Sequence, residues 1–113
     1  MQRIALTDGS GAWFDADKAV KFKEATNWDG RNSISVATGS QWEHQWLYYT
    51  RNGKWVLHRF SDWQGATETY EIVEQETAVK WLIQNRHVGS ESYDSLPENV
   101  RQAADALVAS AEI

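Results

Sequence analysis

Apolar and polar positions follow two rules along this chain, with the change near residue 74. Before it, apolar side chains tend to recur at every second position, the spacing of a strand with one buried face. After it they recur at every third or fourth, the spacing of a helix. Arg3 to Thr7 reads as a short strand, Asp8-Gly9-Ser10-Gly11 as a turn, and Ala12 to Phe14 as the returning partner. Asp15 then stands as the N-cap of a helix over about 16–25, with Ala19, Val20 and Phe22 apolar and Lys18, Lys21, Lys23 and Glu24 polar. Asn27 to Asn32 is a loop by composition, and Ile34 and Val36 alternate with Ser33, Ser35 and Ala37 as in a half-buried strand.

The stretch from Trp42 to Trp63 dominates the pattern. Asn52-Gly53 lies between two alternating runs and predicts a hairpin with strands at about 45–50 and 54–60. Thr69 to Val73 is the last strand, with Tyr70 and Ile72 on one side of it. From Gln75 to Asn85 the pairs Ala78/Leu82 and Val79/Ile83 stack one helical turn apart, flanked by Trp81, and Gly89 follows the end. Ser95-Leu96-Pro97-Glu98 has the spacing of a capping box, and Leu96, Val100, Ala103, Ala104, Leu107 and Val108 make the stripe of a final helix. The expectation is a single α+β domain over 1–113: an antiparallel meander centred on the 45–60 hairpin, with helices packed on one face.

Loop length decides which rings share a face, because one residue of register turns every side chain over. With a two-residue loop, Tyr49 faces Val56 and Leu47 faces His58, and Trp46, Tyr48, Trp55 and Leu57 lie together opposite Tyr49, Val56, Leu47 and Phe60. In that case His44 lies on the other face from His58. A bulged three-residue loop puts His44 and His58 on one face. The two registers stay open at this level.

Composition narrows the chemistry. The chain has no cysteine, which excludes disulfides and cysteine-based zinc sites and is compatible with a reducing cytoplasm. No run approaches the roughly 18 apolar residues of a membrane span, and the first residues lack the pattern of a cleaved leader. A cytoplasmic protein without membrane contact is expected. The net charge of -5 is unevenly spread: residues 60–113 hold three Lys or Arg against ten Asp or Glu. Such a surface repels phosphate, so direct nucleic-acid binding is not expected, whereas a basic protein surface is a fitting partner.

No nucleophile elbow, phosphate loop or dinucleotide fingerprint occurs. Asp8-Gly9-Ser10-Gly11 reads as a plain turn in preference to an anion nest. At most two histidines, His44 and His58, converge, short of the three protein ligands of a catalytic zinc, and His87 fits a helix end. No metal, cofactor or catalytic residue is assigned. The aromatic surplus points to binding, since Trp, Tyr and Arg anchor protein interfaces. The assigned binding residues are Trp46, Tyr48, Trp55, Arg59, Trp63, Glu68 and Glu71.

The segments LTDGSGAWFD, GSQWEHQWLYYT, GKWVLHRFSDWQG and ETYEIV resemble a group of small bacterial proteins often encoded on plasmids and other mobile elements. The similarity spans about residues 3–85 and leaves out the C-terminal helix. The resemblance implies an accessory or anti-defence role, as in anti-restriction or anti-CRISPR inhibitors, and carries no residue-level site. Taken together, the sequence indicates a non-enzymatic protein-binding module. Two alternatives stand beside it: an enzyme acting on a small molecule through a His/carboxylate site, and a homodimeric structural protein.

Overall fold

The computed structural model describes residues 1–113. Its central turn closes with Thr50 N–H donating to Lys54 O at 2.8 Å and Gly53 N–H donating to Thr50 O at 2.9 Å. The loop is therefore the three residues Arg51, Asn52 and Gly53. Gly53 takes the left-handed conformation, at φ 84°, that a bulged loop requires. The flanking strands are β6 (Glu43–Tyr49) and β7 (Trp55–Ser61), with Tyr49 opposite Trp55, Leu47 opposite Leu57, Trp46 opposite His58 and His44 opposite Phe60. This is the bulged register. His44, Trp46, Tyr48, Val56, His58 and Phe60 share one face, and Trp55 goes to the other with Tyr49, Leu47 and Leu57.

These strands are the middle of a four-stranded antiparallel sheet whose edges are β3 (Val20–Lys23) and β8 (Thr69–Val73). Residues 16–25 were expected as a helix. Instead a single 3-10 turn, Ala16–Lys18, gives way to a strand. Asp15 does cap the turn, accepting from Asp17 N–H at 3.1 Å. Beyond it Val20, Lys21, Phe22 and Lys23 alternate with period two, and the fully buried Phe22 pairs with Leu47. Cross-strand burial of Phe22 outweighs the weak helical stripe.

Two small hairpins flank the sheet. The first, β1 (Arg3–Ala5) with β2 (Trp13–Asp15), follows the sequence reading. The second pairs β4 (Thr26–Trp28) with β5 (Ser33–Ser35), so the segment read as a loop supplies a strand, and β5 joins β4 and not the meander. Asp29 organises the turn between them by accepting from Arg31 and Asn32 N–H at 2.8 and 2.7 Å.

The helices α1 (Gln75–Gln84), α2 (Glu91–Asp94) and α3 (Glu98–Ser110) occupy one side of the sheet. Ala78, Val79, Trp81 and Leu82 of α1, Tyr93 of α2 and Ala104 of α3 form the main core with Phe22, Leu47, Trp55 and Leu57. Burying such side chains contributes roughly 1.5–3 kcal/mol each before the entropy of ordering them is deducted. The Asn85 side chain is a buried polar group at the end of α1. Its Oδ1 accepts from Ala25 N–H at 3.0 Å and its Nδ2 donates to Trp81 O at 2.9 Å, joining the end of α1 to the strand connection. The capping box read before α3 does not form. Ser95 Oγ donates to Ser92 O at 2.6 Å, finishing α2, and α3 starts behind Pro97 without a side-chain cap.

On the other side of the sheet the N-terminal hairpin covers the half nearest the turn. Phe14 packs on Tyr48 at 5.1 Å and Tyr70 at 6.1 Å between ring centroids. Just beyond β1 the hairpin also meets the free edge of β8 at Tyr70, where Thr7 N–H donates to Tyr70 O at 2.9 Å and Tyr70 N–H to Thr7 Oγ1 at 3.0 Å. These bonds cover the edge at Tyr70 alone. No helix of the protein is long and apolar enough to cross a membrane.

Candidate functional site

What the N-terminal hairpin leaves uncovered is the far half of the same sheet face, and there the rings and titratable groups converge. His58 is stacked between Tyr70, at 4.1 Å, and Phe60, at 4.6 Å between centroids. Trp46 meets Phe60 edge-on at 4.9 Å and His44 lies 5.3 Å from Phe60. The order follows from the register, which sets His44, Trp46, His58 and Phe60 on alternate positions of neighbouring strands. Lys21 of β3 holds its Nζ 3.9 Å above the Trp46 ring. Desolvation and the neighbouring Lys23 push the Lys21 ammonium down.

Each histidine is fixed by carboxylates. His44 Nδ1 is 2.7 Å from Glu24 Oε2 and its Nε2 is 2.8 Å from Asp62 Oδ2. Burial alone would lower its pKa, but the hydrogen bonds and charges of Glu24 and then Asp62 outweigh it and raise the imidazole above its ordinary value. Glu24 is itself locked, its Oε1 accepting from Ser35 Oγ at 2.8 Å and from Gln45 N–H at 2.7 Å. His58 shows the opposite balance. Burial lowers its pKa more than the bond to Glu68, 2.6 Å from Nε2, raises it. Its Nδ1 is buried without a hydrogen-bond partner. Neutral His58 therefore has its single N–H on Nε2, because the Glu68 carboxylate can only accept and a proton on Nδ1 would have no acceptor. Glu68 Oε1 also accepts from Tyr70 O–H at 2.8 Å, and the Tyr70 bond, with that of His58, holds its carboxyl below the usual range.

The residues assigned from sequence are distributed over four environments. Trp46, half-buried on the open face, Glu68 beside it, and Trp63 at the end of the hairpin belong to the region just described. Tyr48 lies on the same face but is buried beneath Phe14, so its ring is not a contact surface. Trp55 is 3% exposed and faces the helices, which removes it from the binding set; the register change is the reason. Arg59 and Glu71 form an ion pair at 3.1 Å on positions that alternate with the open face.

The region also contains groups outside the assigned binding set: Glu24, Trp42, Phe60 and Tyr70, besides His44, His58, Lys21 and Asp62. Glu24 was hidden because its segment was read as helix. Trp42 continues the pairing of β6 and β7 by one step, its carbonyl accepting from Asp62 N–H at 2.9 Å. Its ring lies 5.0 Å from that of Trp63, and the two are 42% and 60% exposed. The aromatic surplus of this stretch was the available signal for the pair.

The two carboxylates on His44 sit at opposite ring nitrogens and do not converge on a common point, and no group of three or more side chains has the geometry to hold a metal ion. The Asp8-Gly9-Ser10-Gly11 turn satisfies itself, with Ser10 N–H on Asp8 Oδ1 at 2.9 Å and Ala12 N–H on Ser10 Oγ at 3.1 Å. No protein-family model, curated protein or solved structure matches this chain.

Proposed function

We propose that this chain is a small protein-binding module that meets its partner with the rings at the open end of the β6–β7 hairpin. The observation that carries the reading is the Trp42–Trp63 pair, two large rings in mutual contact and in water, at the end of the row His44, Trp46 and Phe60. Tryptophan exposed in this way contributes nothing to the core, and it is the side chain most enriched among interface anchors. The histidine and carboxylate groups behind the row act as a rigid frame. Both nitrogens of His44 are bonded, and His58 directs one nitrogen to Glu68 and buries the other. His44 has no unbonded ring nitrogen and the unbonded one of His58 is buried away from solvent, which weighs against a His/carboxylate enzyme.

Charge supports a partner with a basic surface. From Glu74 onward the helical layer holds seven Asp or Glu against Lys80, Arg86 and Arg101, while the aromatic face is mixed, Lys21 and Lys23 offsetting Glu24, Asp62 and Glu68. Such a distribution steers approach over the whole molecule and leaves the rings to supply contact area. We propose further that the partner belongs to a host nucleic-acid-processing complex, the setting that the resemblance read from the sequence segments implies.

The test is an affinity capture from the organism that encodes the chain, run with the wild type and with a Trp42→Ala/Trp63→Ala variant, alongside light scattering on both. The expected result is a partner retained by the wild type and lost by a variant of unchanged melting temperature. A partner held equally by both would refute this contact face. A wild-type dimer that the variant dissolves would reassign the face to self-association.

A further inference from the structure

At the turn end of the sheet a cavity of about 510 Å³ opens between the N-terminal hairpin and the Arg51-Asn52-Gly53 loop. Its apolar wall is Leu6, Phe14, Val56 and Ile72, from both hairpins and β8. Its rim carries the exposed Arg51 and Lys54, and the buried Asp15 belongs to its lining. The size lies within the range of about 300–1,000 Å³ typical of small-molecule sites, and an apolar wall with a few placed charges is their usual chemistry. The charges do not cancel. Asp15 Oδ1 already accepts from Gln2 and Asp17 N–H, both at 3.1 Å, and against the effect of burial these bonds, then the charges of the N-terminus and of Arg51, hold its carboxyl low. Neither Arg51 nor Lys54 forms an ion pair, so the cavity has two cations against the one carboxylate of Asp15. Trp13, 45% exposed, adds a flat ring to the lining.

We propose that this cavity binds a small organic monoanion with a flat apolar body, the body lying against Leu6, Trp13 and Ile72 and the anionic group at Lys54. The site is at the opposite end of the sheet face from the tryptophan pair and is independent of what that pair contacts. It also explains why half-exposed Ile72 faces the cavity beside charged side chains in place of a polar residue.

The experiment uses anilinonaphthalene sulfonate as an anionic probe and phenylnaphthylamine as its neutral counterpart, followed by fluorescence titration and amide chemical-shift mapping on the whole chain. Saturable binding at one site is expected, with shifts at Leu6, Phe14, Val56 and Ile72 and the anionic probe bound the more tightly. Lys54→Ala should weaken the anionic probe by about two- to fivefold, the scale of one exposed charge, and leave the neutral one unchanged. Ile72→Trp, which fills the mouth from a half-exposed position, should weaken both by about tenfold or more at an unchanged melting temperature. No saturable binding, shifts confined to Trp42 and Trp63, or equal affinity for the two probes would overturn the proposal.

Discussion

His58 lies flat against Tyr70, the ring planes 10° from parallel, and one carboxylate, Glu68, accepts a hydrogen bond from each of them. Glu68 is about half exposed while the His58 side chain is 7% exposed, so the bond runs from the surface into the sheet. It holds the linker after β7 onto the first residues of β8 and fixes the floor of the aromatic region. The unpartnered Nδ1 on the other side of the ring is the weakness of the arrangement.

Replacing His58 with phenylalanine should accordingly leave the protein folded, and at mildly acid pH more stable. The ring stack remains, Tyr70 still serves Glu68, and an unsatisfied buried nitrogen is removed, a group that costs about 1–3 kcal/mol. Urea unfolding at about pH 6 checks this. A loss of more than about 2 kcal/mol would mean that the His58–Glu68 bond dominates.

The two histidines should give opposite slopes of stability against pH. His44 has a folded pKa above its unfolded value, so its contribution is complete below about pH 6.5 and disappears as pH rises through the folded pKa. His58 has a folded pKa below its unfolded value, so its contribution is present above about pH 6.5 and is lost as pH falls through the folded pKa. Unfolding midpoints measured between about pH 5 and 9 for His44→Gln and His58→Phe should flatten the alkaline and the acid side respectively. Identical profiles for the two variants would contradict the assignment.

Tryptophans should separate into two classes by thermal melting. Trp55→Ala opens a cavity between sheet and helices and should cost about 3–5 kcal/mol. Trp42→Ala and Trp63→Ala should leave the melting temperature nearly unchanged, and in complex with a partner should cost about 2 kcal/mol or more of affinity if the pair is a hot spot. Calorimetry of the three variants is sufficient for the first half.

Gly53→Ala should destabilise by about 1–2 kcal/mol, because φ 84° is costly for a residue with Cβ. A Cβ there would also stand 3.4 Å from the Tyr49 hydroxyl. Gly53→Asn should cost less, since asparagine tolerates the left-handed region. Denaturant titration of both variants distinguishes this conformational effect from loss of space.

Asn85→Leu should cost about 1–3 kcal/mol, although it adds apolar surface at a buried position. Ala25 N–H would lose its only acceptor, and an unsatisfied buried donor carries that penalty. Amide exchange at Ala25 should accelerate in the variant by more than its global stability accounts for.

The sequence by itself determined the elements whose signals are local. The β1–β2 hairpin, the strands around Asn52-Gly53, Thr69 to Val73, the Ala78–Leu82 helix and the final helix all rest on periodicity and turn chemistry within about a dozen residues. Those signals place the fold in the α+β class, and no distant contact reverses them. Only the tertiary structure decided what depends on partners far along the chain. Val20 to Lys23 became a strand because Phe22 finds Leu47, and Thr26 to Trp28 because it finds Ser33 to Ser35. The open face could not be read without the register, which Thr50 and Lys54 settle by bonding across a three-residue loop. That one-residue choice sent Trp55 into the core and brought His44, Trp46, His58 and Phe60 together, and the covering of Tyr48 followed only once Phe14 had docked. A strand's period is written in its own residues, but which of its faces meets water is fixed by what packs on the other.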